Sequence, residues 1–509
     1  MKIKLENPSR INLKKEKALF LPFFSGERIK VKNRAVEKEA GKFAKNLQSL
    51  QENEVRLFFF ERGKFIFLNL GEKEKWNQRK FFLNLRKVIR FLKENRIGQA
   101  VLFLEQIIPP GVDLNNLVRQ IPENILLADY EFIQYREKPK EGWPKIDLIE
   151  ISWPDSQKYQ KDLNQGEIIG QAVNFARNLA NIPGGEMTPQ KMSGAAATAV
   201  KKLKNVKIEI FGEKKLKKLG MGGILGVSQG SSQKPRLILL KYSGRKKDKK
   251  TDLAFVGKGI TFDSGGLHIK PYEPMAEMHM DMSGGAVVLG AISVIAQIKL
   301  PLNIVVLIPV AENMPSGQAF RPGDLLKAYN RKTIEVISTD AEGRIILADA
   351  LSYAARNFKP RIIIDVATLT GAAVVALGQR AIGLFTNLPE MESILRKIGE
   401  DSGDYVWPLP CWEEYEEEIK GTFGDIANLG KTKYGGAITA ALFLKNFVED
   451  LPWIHLDIAP TITSIEGQGL AKGATGSGTR YLVKLAQDFQ KFKKFINLDL
   501  KKLVKKSVF

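Results

Sequence analysis

One cysteine, Cys411, and three histidines are all that 509 residues hold of the side chains most used in thiolate and imidazole metal sites. A lone cysteine forms no intramolecular disulfide and no multi-thiolate zinc site, which points to a reducing, cytoplasmic compartment. With only His268, His279 and His455 present, zinc chemistry of the HExxH type is excluded, and any metal site must be built mainly from carboxylates. Long hydrophobic runs are scarce as well: the apolar window 362–378 contains Asp365 and falls short of the roughly 20 residues of a membrane span. Near the N-terminus Pro22 interrupts the apolar stretch 18–24 and no small-residue cleavage site follows, unlike a secretory signal. Internal repeats and low-complexity segments are missing too. The expectation is a cytoplasmic globular protein with no membrane attachment.

What is present fits that class. Hydrophobic residues make up 44% and charged residues 26%, ordinary soluble usage, and the length suits two or three domains. The formal net charge is +22, distributed as +10 over residues 1–150, +6 over 481–509 and only +6 over everything between. Basic ends of this kind suit nucleic acid or other anions, but no named nucleic-acid-binding motif accompanies them.

Residues 1–156 alternate strand-like pieces rich in β-branched and aromatic residues (55–60, 65–68) with a helix-period stretch at 77–95, and read as a small α/β domain. A helical pattern over 157–181, closed by Pro183-Gly184-Gly185, is the expected connector. From 182 to 489, strand-like runs at 206–210, 236–242, 253–257, 303–309, 361–366 and 453–458 alternate with helical stretches such as 284–298 and 345–357. That alternation predicts a second α/β domain. Residues 490–509 form a Lys-rich tail, and the block 245–250 reads as a solvated turn.

Two stretches concentrate glycine and acid: GKGITFDSGGLHIKP, holding Lys258, Asp263 and Lys270, and STDAEGR, holding Asp340, Glu342 and Arg344. If the second were extended, its three alternating charged side chains would share one side. It stands between a strand-like and a helix-like segment, at the sheet edge where α/β proteins bind ligands. Asp281 precedes another helix-like stretch. Asp263, Asp281, Asp340 and Glu342 together neutralise two divalent cations through hard oxygens. A salt-bridge network, with the lysines and arginine as counter-ions, accounts for the same spacing.

Both stretches closely resemble the paired signatures of the leucine aminopeptidase (cytosol aminopeptidase) family of dinuclear metallo-exopeptidases. Further matching segments include Asn181-Ile182-Pro183, Glu312 to Ser316, Thr368 to Gly371 and His455-Leu456-Asp457. The resemblance implies a larger C-terminal α/β catalytic domain with a central mixed β-sheet flanked by helices. It also implies that Lys258, Asp263, Asp281 and Glu342 hold one metal while Asp263, Asp340 and Glu342 hold the other, with manganese or zinc expected. A lysine ligates only when neutral, and bringing its pKa from about 10.4 to below 7 costs about 4–5 kcal/mol, which an adjacent dication offsets. By the same likeness Lys270 is the catalytic electrophile, Arg344 holds a bicarbonate proton shuttle, and Met278, Thr368 and Gly371 line the pocket for the substrate's first side chain. The implied activity is release of apolar, leucine-like N-terminal residues from short peptides by a homohexamer. His268 stands where the family usually has a small polar residue, and reads as an incidental donor.

Two other readings compete. Gly226-Val227-Ser228-Gln229-Gly230 matches the GxSxG pattern of a serine-hydrolase elbow, but the Ser231 to Pro235 segment after it does not read as the helix that motif needs. The second is a nucleic-acid or anion-binding protein that uses its basic termini, with weak or lost peptidase activity.

Overall fold

The computed structural model describes residues 1–11, 14–245 and 248–491. Lys246 and Lys247 of the expected turn, and the tail from residue 492 onward, lie outside the described residues. The chain divides into two compact units: residues 1–171 with 465–471, and residues 172–464 with the chain from 472 on.

The first unit is built on six strands: β1 (Lys2–Glu6), β2 (Ala18–Phe23), β3 (Val55–Phe60), β4 (Gly63–Asn69), β5 (Gln99–Phe103) and β6 (Leu148–Ser152). They lie in the order β1-β6-β5-β2-β4-β3, all parallel except β3, which forms a hairpin with β4. Period-two alternation gives each strand two apolar faces. Leu19, Leu21, Phe65 and Phe67 pack with α1 (Arg34–Gly41) and α2 (Ala44–Leu47), while Phe20, Ile66 and Leu68 pack with α3 (Gln78–Glu94) and α4 (Leu114–Asp129). In α3 the buried Phe81, Leu85, Val88 and Leu92 recur every three or four residues, and Asn77 caps its start by accepting from the Lys80 N–H. Pro22 is tolerated inside a central strand because β2 pairs with β5 only as far as Phe20. Helix α5 (Gln160–Asn181) carries the chain from the first unit into the second.

The second unit contributes β7 (Val206–Phe211), β8 (Arg236–Ser243), β9 (Leu253–Gly257), β10 (Gly259–Asp263), β11 (Asn303–Asn313), β12 (Leu325–Lys327), β13 (Thr333–Glu335), β14 (Ile362–Ala367), β15 (Ile382–Thr386), β16 (Val406–Pro408), β17 (Ile426–Ala427) and β18 (Trp453–Asp457). The large sheet runs β16-β15-β18-β14-β9-β11-β8-β7, with β10 paired to β11, and β12, β13 and β17 form a small separate sheet. Its centre, β11-β9-β14-β18, is parallel, whereas β8, β7 and β15 run antiparallel to their inner neighbours, so the sheet is mixed. The parallel strands are near-continuous apolar runs because helices cover both faces. The helix Ser283–Gln297 is buried over every residue but the last. Each of its fully buried Val, Leu and Ile side chains contributes about 1.5–3 kcal/mol relative to exposure. The stretch Met278–Gln297 is long and apolar enough to cross a bilayer, beyond the window 362–378 singled out from sequence, yet 83% of its most apolar window is buried inside the fold.

Parallel strands align their carboxyl ends along one edge. There Lys258 follows β9, Asp263 closes β10, Asn313 closes β11, Thr368 follows β14 and Asp457 closes β18.

Candidate active site

The alternating reading of Asp340, Glu342 and Arg344 as one extended face does not hold. The helix Glu342–Phe358 begins at Glu342, so Glu342 and Arg344 both sit in its first turn, and Ala341 (φ −108°, ψ 41°) turns the chain between Asp340 and the helix. Two helical residues apart point to different sides, yet the Arg344 guanidinium still feels the charges of Glu342 and Asp340. Asp340 and Glu342 still converge because of that turn. Glu342 also gains from lying at the positive end of the helix.

Five of the expected ligands come together. Lys258 Nζ lies 2.9 Å from Asp281 Oδ2 and 2.8 Å from Glu342 Oε1, and donates to the Thr368 carbonyl at 3.0 Å. Lys270 Nζ lies 2.9 Å from Asp263 Oδ2 and 2.5 Å from Asp340 Oδ1. Asp263 Oδ1 accepts from the Gly265 N–H at 2.9 Å and from Asn313 Nδ2 at 2.8 Å. Thr368 Oγ1 donates to Asp281 Oδ1 at 2.6 Å. Lys258, Asp263, Asp281 and Glu342 are all buried, while Lys270 and Asp340 reach the opening. Close approach demands glycine at two places. A Cβ on Gly343 would stand 2.4 Å from Lys258 Nζ, and one on Gly265 (φ +86°) would stand 2.2 Å from the His268 carbonyl.

Four carboxylates against two ammonium groups leave the cluster negative, and its protonation responds. Burial, then the charge of Glu342, pushes Asp263 up to about 7 against the pull of Lys270 and Lys258. Burial raises Asp281 well above the ordinary carboxylate value and raises Asp340 too. Burial acts against Glu342 as well, but Lys258 and Lys270 outweigh it and hold the group low. Burial would lower Lys258, yet Asp281, Glu342 and Asp263 keep it above its ordinary value, so the lysine is an ammonium here. One ligand-capable oxygen from each of Asp263, Asp340 and Glu342 lies within 4.8 Å of the others. Asp281 Oδ2 and Glu342 Oε1 lie against the Lys258 ammonium at 2.9 and 2.8 Å. Hard oxygens converging in a negative pocket are the donor set that divalent cations take.

Arg344 is buried, and burial lowers it to about 10. Its Nη1 donates to the Asn428 carbonyl at 2.8 Å, while Nε has no hydrogen-bond partner among the described residues. Met278 is half-buried in the turn before Asp281. Gly371 opens the helix Gly371–Leu377, and a Cβ there would meet nothing within 4 Å. Of the three pocket residues expected, only Thr368 bonds directly to the acid cluster.

Several positioning residues escaped the sequence reading. Asn313, fully enclosed at the end of β11, bridges Asp263 to the Thr339 carbonyl. Asn428 Oδ1 accepts from the Ile337 and Ser338 amides, and Nδ2 donates to the Ser338 and Ala341 carbonyls, which fixes the loop that carries Asp340. Asp457 accepts from the Leu369 amide and the Thr370 hydroxyl, which fixes the loop of Thr368. His268, read as incidental, clips two loops: its amide donates to Thr339 Oγ1 at 2.9 Å and its Nδ1 accepts from the Thr339 N–H at 3.2 Å. A buried amide or acid at a strand's carboxyl end is the signal that marks Asn313 and Asp457. Ser228 follows a helix, Gly222–Val227, not a strand, and its hydroxyl is spent on the Leu225 carbonyl, so no nucleophile elbow exists there.

Comparison with known proteins agrees with this geometry. Residues 174–483 match the cytosol aminopeptidase family, catalytic domain. A probable cytosol aminopeptidase of Pseudomonas fluorescens (strain Pf0-1) is 41% identical over 428 residues, covering 83% of this chain and 85% of the relative. One of Roseiflexus castenholzii (strain DSM 13941 / HLO8) is 43% identical, covering 79% and 81%. Among solved structures, the bottromycin maturation enzyme BotP in complex with Mn superposes with a TM-score of 0.81 at 28% identity, covering 93% of this chain and 99% of that one.

Proposed function

The chain belongs to the cytosol aminopeptidase family and is a metal-dependent aminopeptidase of the leucyl class; from that premise we propose that it releases apolar, leucine-like N-terminal residues from short peptides at the Lys258–Arg344 cluster. The observation that carries this reading is the convergence of Asp263, Asp340 and Glu342 on one point beside two lysines. Lys258, Asp263, Asp281 and Glu342 would hold one divalent ion, and Asp263, Asp340 and Glu342 would hold a second. Two divalent ions, manganese or zinc, supply when bound the Lewis acidity that lowers a water's pKa and polarises the scissile carbonyl.

The chain's own groups do the rest. Lys270, partly exposed at the mouth, donates to the oxygen on which negative charge develops and holds that charge in a water-poor setting. Arg344 offers an Nε without a partner among the described residues to a small anion, and a bicarbonate held there would supply the proton acceptor that a histidine or glutamate supplies elsewhere. Thr368 orients Asp281 through its hydroxyl and Lys258 through its carbonyl, so one residue sets two ligands and borders the pocket for the first side chain. Met278 and Gly371 would border the pocket for that side chain, and the open space at Gly371 leaves room for a leucine-sized group. Short peptides with a free N-terminus are the substrates, the assembly is a homohexamer and the location is cytoplasmic.

Hydrolysis of leucine p-nitroanilide by wild type and Asp340→Ala, assayed after chelation and again after manganese or zinc is restored, tests the reading. Wild-type activity should vanish with chelator and return with metal, and Asp340→Ala should stay inactive throughout. Chelator-insensitive activity, or an active Asp340→Ala, overturns it.

A further inference from the structure

The first unit also has a carboxyl edge, and it is open. β2 and β5 are neighbouring parallel strands whose connections depart to opposite faces, β2 toward α1 and α2 and β5 toward α4. Loops part where connections diverge in this way, and the crevice they leave is where α/β sheets take ligands. A cavity of about 410 Å³ lies there, bordered by Phe23 and Phe24 at the end of β2 and by Gln106 and Ile107 just past β5. A second cavity of about 870 Å³ adjoins it between the same loop and the α1–α2 face. The strap Glu27 to Lys30 borders both. These volumes suit small-molecule sites.

The floor is fixed. Gln106 Nε2 donates to the Pro22 carbonyl at 2.8 Å, tying the ends of β2 and β5 together. Asn69 Oδ1 accepts from the Ser25 hydroxyl and the Gly71 amide at 2.9 Å each, tying β2 to β4. The rim is cationic. Arg28 and Lys30 are exposed and have no ion pair among the described residues, whereas Lys73 on the same rim is 2.9 Å from Glu27. Glu37 stands half-buried on the wall of the larger cavity, a free acceptor for a hydroxyl, and Leu47 and Leu50 supply an apolar surface beside it. Free cations suit phosphate oxygens, and an acid near them suits sugar hydroxyls.

We propose that this crevice binds a phosphorylated, hydroxyl-bearing small molecule of nucleotide size, its phosphate held by Arg28 and Lys30 and a hydroxyl by Glu37. The site is separate from the peptidase chemistry and uses none of its residues.

Calorimetric titration of the full chain with ADP, ribose 5-phosphate, inorganic phosphate and adenosine tests the assignment. Saturable binding of ADP or ribose 5-phosphate is expected, with inorganic phosphate weaker and adenosine weaker still. The double variant Arg28→Ala/Lys30→Ala should weaken the phosphorylated ligands by about tenfold or more while leucine p-nitroanilide hydrolysis stays within about twofold. Asp340→Ala should bind them as wild type does, which excludes capture at the acid cluster. Hydrogen exchange with ADP should slow over residues 24–30 and not over 258–281. The proposal is overturned if wild type binds none of the phosphorylated probes at millimolar concentration, if the double variant binds undiminished, or if protection falls on 258–281 instead.

Discussion

At the carboxyl edge of the catalytic sheet Lys258, Asp263, Asp281 and Glu342 are each no more than 5% exposed, whereas at the equivalent edge of the first unit Arg28 and Lys30 stand in solvent beside open cavities. The same topological rule made both edges. Burying charge is costly unless each charge finds a partner, so the catalytic edge is crowded with mutual compensation: lysine against carboxylate, hydroxyl against carboxylate, carboxamide against carbonyl. Such a site is preorganised, and each of its members leaves an uncompensated neighbour when removed. The open edge carries no such debt. Its charges are solvated, its removal costs the fold little, and whatever it binds must bring its own counter-charge.

Substitutions that strike the crowded edge should therefore be severe, and those at the open edge mild. Glu342→Gln should lower kcat/KM by about a thousandfold or more, because it removes the acid that contacts Lys258 and points at the convergence with Asp263 and Asp340. Activity within tenfold of wild type would break the contrast. Lys270→Met should lower kcat by about a hundred- to a thousandfold with metal content unchanged, which steady-state kinetics alongside metal analysis would separate from loss of the site. Asn428→Ala should cost about ten- to a hundredfold in activity, since it releases the loop of Asp340 without removing a ligand. Partial recovery in Asn428→Asp, which keeps the acceptor of the Ile337 and Ser338 amides, would sharpen that assignment.

The smallest effect is expected between β14 and β18, at a buried pair that bonds to none of the expected ligands. His455 Nδ1 is 2.6 Å from Asp365 Oδ1, both groups wholly buried. Burial would lower the imidazole, but the Asp365 charge and hydrogen bond raise it above 6.5. The folded chain then holds a proton that the unfolded chain gives up near 6.5, so this contribution to stability is complete below 6.5 and fades as pH rises through the folded value. Thermal midpoints should fall modestly over that interval in wild type, and His455→Phe should flatten the slope. An unchanged slope would contradict the assignment.

Much of the catalytic edge was legible in the chain because its chemistry is contiguous. GKGITFDSGGLHIKP and STDAEGR each place three charged residues within a short span, and glycines at 265 and 343 are required by approaches of less than 3 Å. The α/β sheet could be read from apolar runs such as 253–257 and 303–309, since strands buried on both faces keep no polar alternation, whereas its mixed character was implied only by the family resemblance. Asn428 was not legible, because its role depends on bonds to a loop up to 91 residues away, and although the segments of Asn313 and Asp457 carry the family likeness, the bonds that give those two their roles are equally remote in sequence. The helical start at Glu342 was missed for a related reason. No side-chain cap precedes it, and the turn at Ala341 is imposed by bonds from Asn428. The divergence of β2 and β5 is likewise a property of strand order, which local sequence does not encode.

Metal stoichiometry counted on the same sample as activity decides whether the carboxyl-edge acids hold the ions that hydrolysis needs. Chelated protein would be titrated with manganese, freed of excess ion, and measured for metal per chain and for leucine p-nitroanilide hydrolysis, beside Asp340→Ala and Asp263→Asn. Active wild-type chain should hold two ions, with activity that tracks their binding, and both variants should be short of metal and inactive. Full activity without bound metal, or full occupancy and activity in either variant, would contradict it.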